Sequence, residues 1–270
     1  MCNLIDLSLP MKKNAGEIAK YTIKQIDHKK GGNIFGKKFN LNRKGADLSK
    51  KSSLLKKRSL KSSDFPDEEF LNLDIITAST HTGTHIDAPF HYGSHCEGKL
   101  AMTIDEVPIE WFFGDGVLLD MPFKKPGEYI NKEDILFAIE HISYDIKPYD
   151  IVLIKTGADK YWGTKEYLTK YPGMSRESIK VLTDLGVKVI GIDSYGFDRP
   201  FSYMINDYIE NGDKEQLFQA HFFGREKCYC QIERLTNLDK LSKPYGFKVA
   251  CFPIKITGSG AAWSRVVAIE

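Results

Sequence analysis

Continuous apolar runs bounded by turn residues recur in the middle of the chain. Three of them predict strands buried on both faces, and they span 116–120, 150–156 and 187–192. Asn131 is a suitable N-cap for a helix with an acidic first turn. Ser175 begins a second helix, which is predicted to end at a glycine before the third strand.

The outer parts of the chain add mostly strands. Strands are predicted at four further places: 4–9, 70–80, 247–256 and 265–269. In the second of these, burial is expected from Leu73, Ile75 and Ile76. A third helix is predicted from about 214 to 222. We therefore expect a mixed α/β protein, with one domain over 1–270, since no internal repeat or linker divides the chain.

The composition is that of an ordinary globular protein, with 42% hydrophobic and 27% charged residues among 270. No run of about 18 apolar residues occurs and the N-terminus lacks the layout of a secretion signal, so no membrane partner is expected. The five cysteines are odd in number and far apart. This argues against a disulfide framework and for a reducing compartment. We expect a cytoplasmic protein in which Cys228 and Cys230 are ordinary strand residues.

One stretch of the chain is strongly basic. Residues 29–61 contain twelve lysines or arginines and one acid, Asp47, so that a basic excursion spans about 29–62. One hypothesis is an arm that binds nucleic acid or another anionic surface. The glycines and paired serines favour instead a solvated, partly mobile excursion, and no recognised nucleic-acid module accompanies the charge. We therefore expect no nucleic-acid partner.

The segment 81–91, HTGTHIDAPFH, gathers three histidines and one aspartate within eleven residues. His81 and His85 are four apart, as in the helical HExxH zinc motif, but the Thr-Gly-Thr between them disfavours a helix and the glutamate is absent. A tight loop leading into an extended segment is expected instead. His85 and Asp87 then point to the same side, and Gly83 lets the backbone bend so that His81 meets them.

These side chains predict a catalytic metal site. Burying so many ionisable groups in an otherwise apolar stretch is too costly in desolvation to be accidental packing. Two imidazoles and a carboxylate from one loop leave coordination positions open for water and substrate, which separates a catalytic site from a structural one. Nitrogen and oxygen ligands without thiolate suit zinc, manganese or iron.

The segment resembles the HxGTHxDxPxH signature of the cyclase-like metal-dependent hydrolases, a family that includes bacterial kynurenine formamidases and isatin hydrolases. Looser matches follow in order along nearly the whole chain, at 5–8, 103–108, 153–157, 191–193, 252–255 and 265–269. The resemblance implies the swivelling β/β/α fold of this family, with a mixed sheet and flanking helices. It also implies a homo-oligomer, either a dimer or a tetramer.

The resemblance further implies a set of ligands for two divalent metal ions, zinc or manganese. His81, His85 and Asp87 would hold one ion. Asp87 would bridge to a second ion, held by His221 and Glu233, which stand twelve positions apart as in the family.

The resemblance implies that His91 does not bind the metal ions and acts as the acid/base. The implied reaction is attack of metal-activated water on a carbon–nitrogen bond other than a peptide bond, in a small amide, aryl formamide or cyclic amide, with His91 passing a proton to the leaving nitrogen. Hydrolysis or cyclisation of a lactone or ester uses the same site, and the motif does not separate the two. A non-catalytic metal- or ligand-binding protein is the alternative of another class, and the intact His91 argues against it.

Residues around the motif receive weaker interpretations. Phe90, Trp111, Phe112 and Phe113 either line a pocket for an apolar group or pack in the core, which is the commoner fate. Asp193 and Asp198 are interpreted as turn or sheet-edge residues, and His95 as part of a loop or pocket rim.

Overall fold

The computed structural model describes residues 2–42 and 60–270. Within them the strands are β1 (Leu4–Asp6), β2 (Thr22–Ile26), β3 (Leu73–Thr77), β4 (His85–Asp87), β5 (His95–Cys96), β6 (Lys99–Leu100), β7 (Phe113–Asp120), β8 (Tyr129–Ile130), β9 (Ile151–Lys155), β10 (Gly173–Met174), β11 (Val189–Ile192), β12 (Cys230–Glu233), β13 (Tyr245–Ala250), β14 (Ala261–Trp263) and β15 (Val267–Ile269). The α-helices are α1 (His28–Asn42), α2 (Pro89–Tyr92), α3 (Lys132–Ile142), α4 (Arg176–Asp184), α5 (Phe201–Asn211) and α6 (Gln219–Phe223).

The chain forms two compact units, a larger one of Met1–Ala19 and Ser79–Glu270 and a smaller one of Lys20–Ala78. The organisation as one domain over 1–270 stays a prediction. No helix among the described residues is long and apolar enough to cross a membrane.

A nine-stranded sheet forms the centre of the larger unit, in the order β1-β15-β13-β7-β9-β11-β12-β4-β14. The four strands β7, β9, β11 and β12 run parallel to their neighbours within this group. The remaining pairings in the sheet are antiparallel. The α/β fold with a mixed sheet, predicted from the sequence, is confirmed.

Both faces of the central strands are covered, which explains their continuous apolar runs. On β7, Val117 and Leu118 point to opposite faces and enter two different hydrophobic clusters. The cluster that contains Val117 also contains Ile135 of α3 and Leu182 of α4, so these helices cover that face. The predicted strands at 116–120, 150–156 and 187–192 are thereby confirmed, with bounds that differ by up to three residues.

The first turns of α3 and α4 are capped as the sequence predicts. The Asn131 side chain accepts a hydrogen bond from the Asp134 backbone N–H at 3.0 Å, and the Asp134 carboxylate accepts the Asn131 N–H at 2.8 Å. Ser175 accepts the backbone N–H of Ser178 at 3.2 Å. Such caps stabilise a helix by about 1 kcal/mol each.

The smaller unit contains the antiparallel pair β2–β3 and the helix α1. Every residue of β3 is exposed, so the predicted burial of Leu73, Ile75 and Ile76 is wrong. Residues 28–42 of the basic stretch form α1, where a mobile excursion was predicted. Gly31 allows the helix to approach the backbone of Leu71 closely, because a Cβ at this position would lie 2.4 Å from the carbonyl oxygen of Leu71. The rest of the excursion, 43–59, lies outside the described residues.

Several further elements differ from the predictions. The helix predicted at 214–222 is interrupted, because Phe218 adopts a left-handed backbone conformation with φ of 51°. A 3₁₀ turn, Lys214–Gln216, precedes this residue and α6 follows it. The helix α5 and the strand β14 were not predicted.

Cys96 and Cys228 form a disulfide, so the prediction against disulfides is wrong for this pair. They are 132 positions apart in sequence, and only the fold brings them together. Cys228 also precedes β12 and is not a strand residue, whereas Cys230 is the first residue of that strand, as predicted.

Candidate metal centre

The strand β4 presents two of the candidate ligands on one face. It lies between β12 and β14, and its period-two alternation turns His85 and Asp87 to the same side, while Ile86 points into the opposite core. Gly83 adopts a φ of +67°, a left-handed turn that favours glycine and brings His81 back towards the strand. The Nδ1 atom of His81 lies 2.9 Å from Oδ1 of Asp87. The loop and extended segment predicted here are present.

Glu233 reaches the same place from the neighbouring strand. In the antiparallel register of β12 and β4 it stands directly opposite His85. Its Oε2 atom lies 3.5 Å from Nε2 of His85, and Oε1 accepts the backbone N–H of Phe197 at 3.2 Å. The side chain is buried, and a glutamate is rarely buried unless it is paired or binds a cation.

His221 enters from α6. Its Nε2 atom lies 3.8 Å from Oδ2 of Asp87 and 3.6 Å from Oε1 of Glu233. Its Nδ1 atom is hydrogen-bonded to the carboxylate of Asp198, which also accepts the backbone N–H of Ala220 at 2.8 Å. Asp198 was interpreted as a turn residue from the sequence, and its role as the hydrogen-bond partner of His221 was missed.

The hydrogen-bond pattern leaves lone pairs free at the centre. Nδ1 of His85 lies 2.7 Å from the carbonyl oxygen of Gly83, so it holds the ring proton and leaves Nε2 as an acceptor. This Nε2 and both oxygens of Asp87 are buried and lack a hydrogen-bond partner of good geometry within residues 2–42 and 60–270. Unpartnered buried polar atoms are rare, and a cation satisfies acceptors that no donor of the described chain meets with good geometry.

The electrostatics also favour a cation. Burial lowers the pKa of His85 to about 3, so its imidazole is neutral and able to act as a ligand. Burial and the nearby Asp87 carboxylate raise the pKa of Glu233 to about 7. Although burial alone would raise the pKa of Asp87, the neighbouring imidazoles of His85, His221 and His81 hold it well below its usual range. A positive charge between the two carboxylates relieves their mutual repulsion.

The spacing of these atoms suits metal coordination. Ligand atoms about 2.1 Å from a tetrahedral ion lie about 3.4 Å from one another, and the four contacts among the strand and helix ligands measure 3.4 to 3.8 Å. Asp87 and Glu233 each turn one oxygen to His85 and the other to His221. Within residues 2–42 and 60–270, two triads have ligand atoms within 4.8 Å of one another, His85–Asp87–Glu233 and His81–Asp87–His91, and Asp87 belongs to both.

His91 lies at the edge of this group. It belongs to α2, is exposed, and its ring centroid lies 4.2 Å from that of His81 and 5.4 Å from that of His221. Since it also falls within one of the two triads, the geometry places it close enough either to join a metal ion or to contact a molecule beside one.

A cavity of about 390 Å³ adjoins the ligands, with His81, His91, His221 and Glu233 in its wall. Its other walls are largely aromatic: Tyr171, Tyr195, Phe201, Phe218 and Phe222. None of the aromatic residues that the sequence analysis singled out near the motif lines this cavity. Trp111 and Phe112 pack in the core, while Phe90 and Phe113 are exposed elsewhere. The aromatic residues of the cavity come from positions 171–222, and no local pattern links them to the motif.

Comparison with known proteins places the chain in a family. Residues 5–199 match the family described as putative cyclase. The kynurenine formamidase of Delftia acidovorans is 29% identical over 197 residues, covering 73% of this chain and 79% of that protein. The kynurenine formamidase of Salinibacter ruber is 26% identical over 206 residues, covering 74% and 81%.

The fold is also shared with a solved structure, isatin hydrolase A from Labrenzia aggregata. The two superpose with a TM-score of 0.68 at 21% identity, covering 99% of this chain and 93% of the other. The fold expected from the resemblance is confirmed by this likeness. Together with the match over 5–199, it shows that the chain belongs to the cyclase family.

Proposed function

We propose that the chain is a metal-dependent hydrolase acting on a small amide, with a carbon–nitrogen bond other than a peptide bond as the bond cleaved. The observation that carries this proposal is a set of buried acceptors that no donor of the described chain meets with good geometry, Nε2 of His85 and the oxygens of Asp87, next to an aromatic-walled cavity. The relatives named kynurenine formamidase and isatin hydrolase support the class of reaction.

The residues proposed to hold metal are His81, His85, Asp87, His221 and Glu233. Because Asp87 and Glu233 each offer one oxygen towards His85 and one towards His221, these residues would provide ligands for either one or two ions. Zinc or manganese suits a nitrogen and oxygen ligand set without thiolate. When bound, such an ion acts as a Lewis acid and makes water nucleophilic at neutral pH.

The protein's own groups then orient the substrate and move its protons. His91, exposed at the cavity wall, is proposed to take a proton from the attacking water and pass it to the leaving nitrogen. Desolvation lowers the pKa of its imidazole to about 4, so the ring is neutral and able to accept that proton first. Asp87 is an acceptor when ionised, so it brings no competing proton to the centre.

The cavity favours an aromatic substrate of small size. Five aromatic rings form much of its wall, and rings of this kind pack offset or edge-on against a bound aryl group. A volume of about 390 Å³ suits a ligand of one or two rings. An aryl formamide or a cyclic aryl amide meets both conditions. The homo-oligomeric state and the cytoplasmic location stay predictions.

The test pairs metal analysis of the purified protein with hydrolysis assays on a formanilide, an isatin-like cyclic amide and an aryl lactone. We expect one or two equivalents of metal per chain, and hydrolysis of an amide that stops on chelation and returns with added zinc or manganese. Preference for the lactone would favour the ester-type alternative. A metal-free protein inactive on all three substrates, with or without added metal, would contradict the proposal.

A further inference from the structure

Tyr171 has a hydroxyl that no part of the described chain uses. The residue is 3% exposed and lines the cavity, yet no other described residue lies within hydrogen-bonding geometry of its hydroxyl. Other buried tyrosines differ. Tyr167 donates to the carbonyl oxygen of Asp193 at 3.1 Å, and Tyr229 donates to that of Ala220 at 2.7 Å. A hydroxyl of a buried tyrosine that opens on a cavity and has no partner in the described chain points to a partner that comes from the ligand.

The backbone holds Tyr171 firmly at this place. Its carbonyl oxygen accepts the N–H of Gly127 at 2.9 Å, and two residues later Gly173 donates to the carbonyl of Glu128 at 3.0 Å. Gly173 allows a close crossing with the segment that follows Gly196, because a Cβ there would lie 2.1 Å from the backbone nitrogen of Arg199. The Tyr171 side chain is therefore fixed beside Gly196 by main-chain contacts.

Gly196 keeps a small space open between two polar groups. A Cβ built on it would lie 3.5 Å from Oε1 of Glu233 and 4.0 Å from the hydroxyl oxygen of Tyr171. One atom at this position would thus contact both a proposed metal ligand and the unpartnered hydroxyl. The space is the size of one substrate atom or group next to the reacting centre.

We propose that the Tyr171 hydroxyl donates a hydrogen bond to the carbonyl oxygen of the substrate amide, an inference that rests on the proposed function. As water adds to the carbonyl carbon, this oxygen gains negative charge, so a preorganised donor binds it more strongly than in the ground state. Burial raises the pKa of Tyr171 well above its ordinary value, so the hydroxyl keeps its proton at neutral pH. The tyrosine donates a hydrogen bond and transfers no proton.

The test is Tyr171→Phe, with Tyr167→Phe as the matched control. Both variants delete one buried tyrosine hydroxyl in the same aromatic cluster, but the Tyr167 hydroxyl is bonded to the protein and does not face the cavity. We expect Tyr171→Phe to lower kcat about 100-fold with metal content and thermal stability unchanged. Tyr167→Phe should lower stability and leave kcat within about twofold.

A second variant, Gly196→Ala, fills the space while leaving the hydroxyl in place. The added methyl makes ordinary contacts of 3.5 Å or more, so the fold is retained, but substrate turnover should fall at least tenfold with metal still bound. If the wild type hydrolyses an amide of the panel and Tyr171→Phe keeps its full kcat, this inference alone is overturned. If the wild type hydrolyses none of the panel, the proposed function fails and the inference falls with it.

Discussion

Replacing Asp198 by asparagine tests how the protein prepares His221 for metal. One oxygen of the carboxylate accepts the N–H of Ala220 and the other accepts from the His221 ring. Asparagine has a single acceptor oxygen, so its amide nitrogen must face one of these two donors. If it faces the ring, Nδ1 becomes the acceptor and the ring proton moves to Nε2. In this tautomer Nε2 of His221, which lies 3.8 Å from Asp87 and 3.6 Å from Glu233, has no lone pair for an ion.

The expected loss of metal affinity follows from removing a hydrogen-bond partner that orients a metal ligand. Removing such a partner lowers metal affinity by about 10- to 100-fold, equivalent to about 1.4 to 2.7 kcal/mol of binding free energy. The assay is competition between the metal-depleted protein and a chelating dye, with folding checked by circular dichroism. Asp150→Asn is the matched control, since Asp150 is also a buried carboxylate that accepts a side-chain hydroxyl and a backbone N–H, from Tyr144 and Lys147. Asp198→Asn and Asp150→Asn binding metal equally tightly would refute the reasoning.

Three other changes separate the roles of neighbouring residues. His91→Ala should keep near-normal metal content by elemental analysis while kcat falls about 100-fold or more, and a parallel loss of metal would make His91 a ligand instead. Asp87→Ala should lose or weaken all bound metal, since both candidate triads contain this carboxylate; retention of full metal content would remove it from the site. Thr84→Val should lower the free energy of unfolding by about 2 to 4 kcal/mol in urea titrations, because the Thr84 hydroxyl accepts the N–H of Leu9 at 2.8 Å and donates to the carbonyl of Arg234 at 2.6 Å. Thr84→Ser keeps both hydrogen bonds and should stay within about 1 kcal/mol of the wild type.

Local features of the site follow from local sequence. The alternation of a strand is enough to place His85 and Asp87 on one face, and a glycine between threonines is enough to predict the turn that returns His81. The central strands and the capped helices were predictable for the same reason. Burial on both faces and N-cap chemistry both depend on residues that are consecutive in the sequence.

Features that depend on distant pairing could not be predicted from local patterns, and only the family resemblance named Glu233 as a ligand. Glu233 faces His85 because β12 and β4 adopt one particular register, and a single-residue slip would turn it to the other face. Asp198 and the aromatic cavity wall depend on how segments after position 170 fold over the sheet. The exposed strand β3 shows a related limit. An apolar run of strand type predicts burial, but the run does not indicate whether another element covers it.

Crystals of the metal-loaded protein, measured at the absorption edge of the bound element, test the central claim most directly. We expect an anomalous peak about 2.0 to 2.3 Å from Nε2 of His85 and an oxygen of Asp87, with a second peak towards His221 if two ions bind. A map in which these side chains point apart, or in which hydrogen-bond donors of the protein occupy the space between them, would contradict the account.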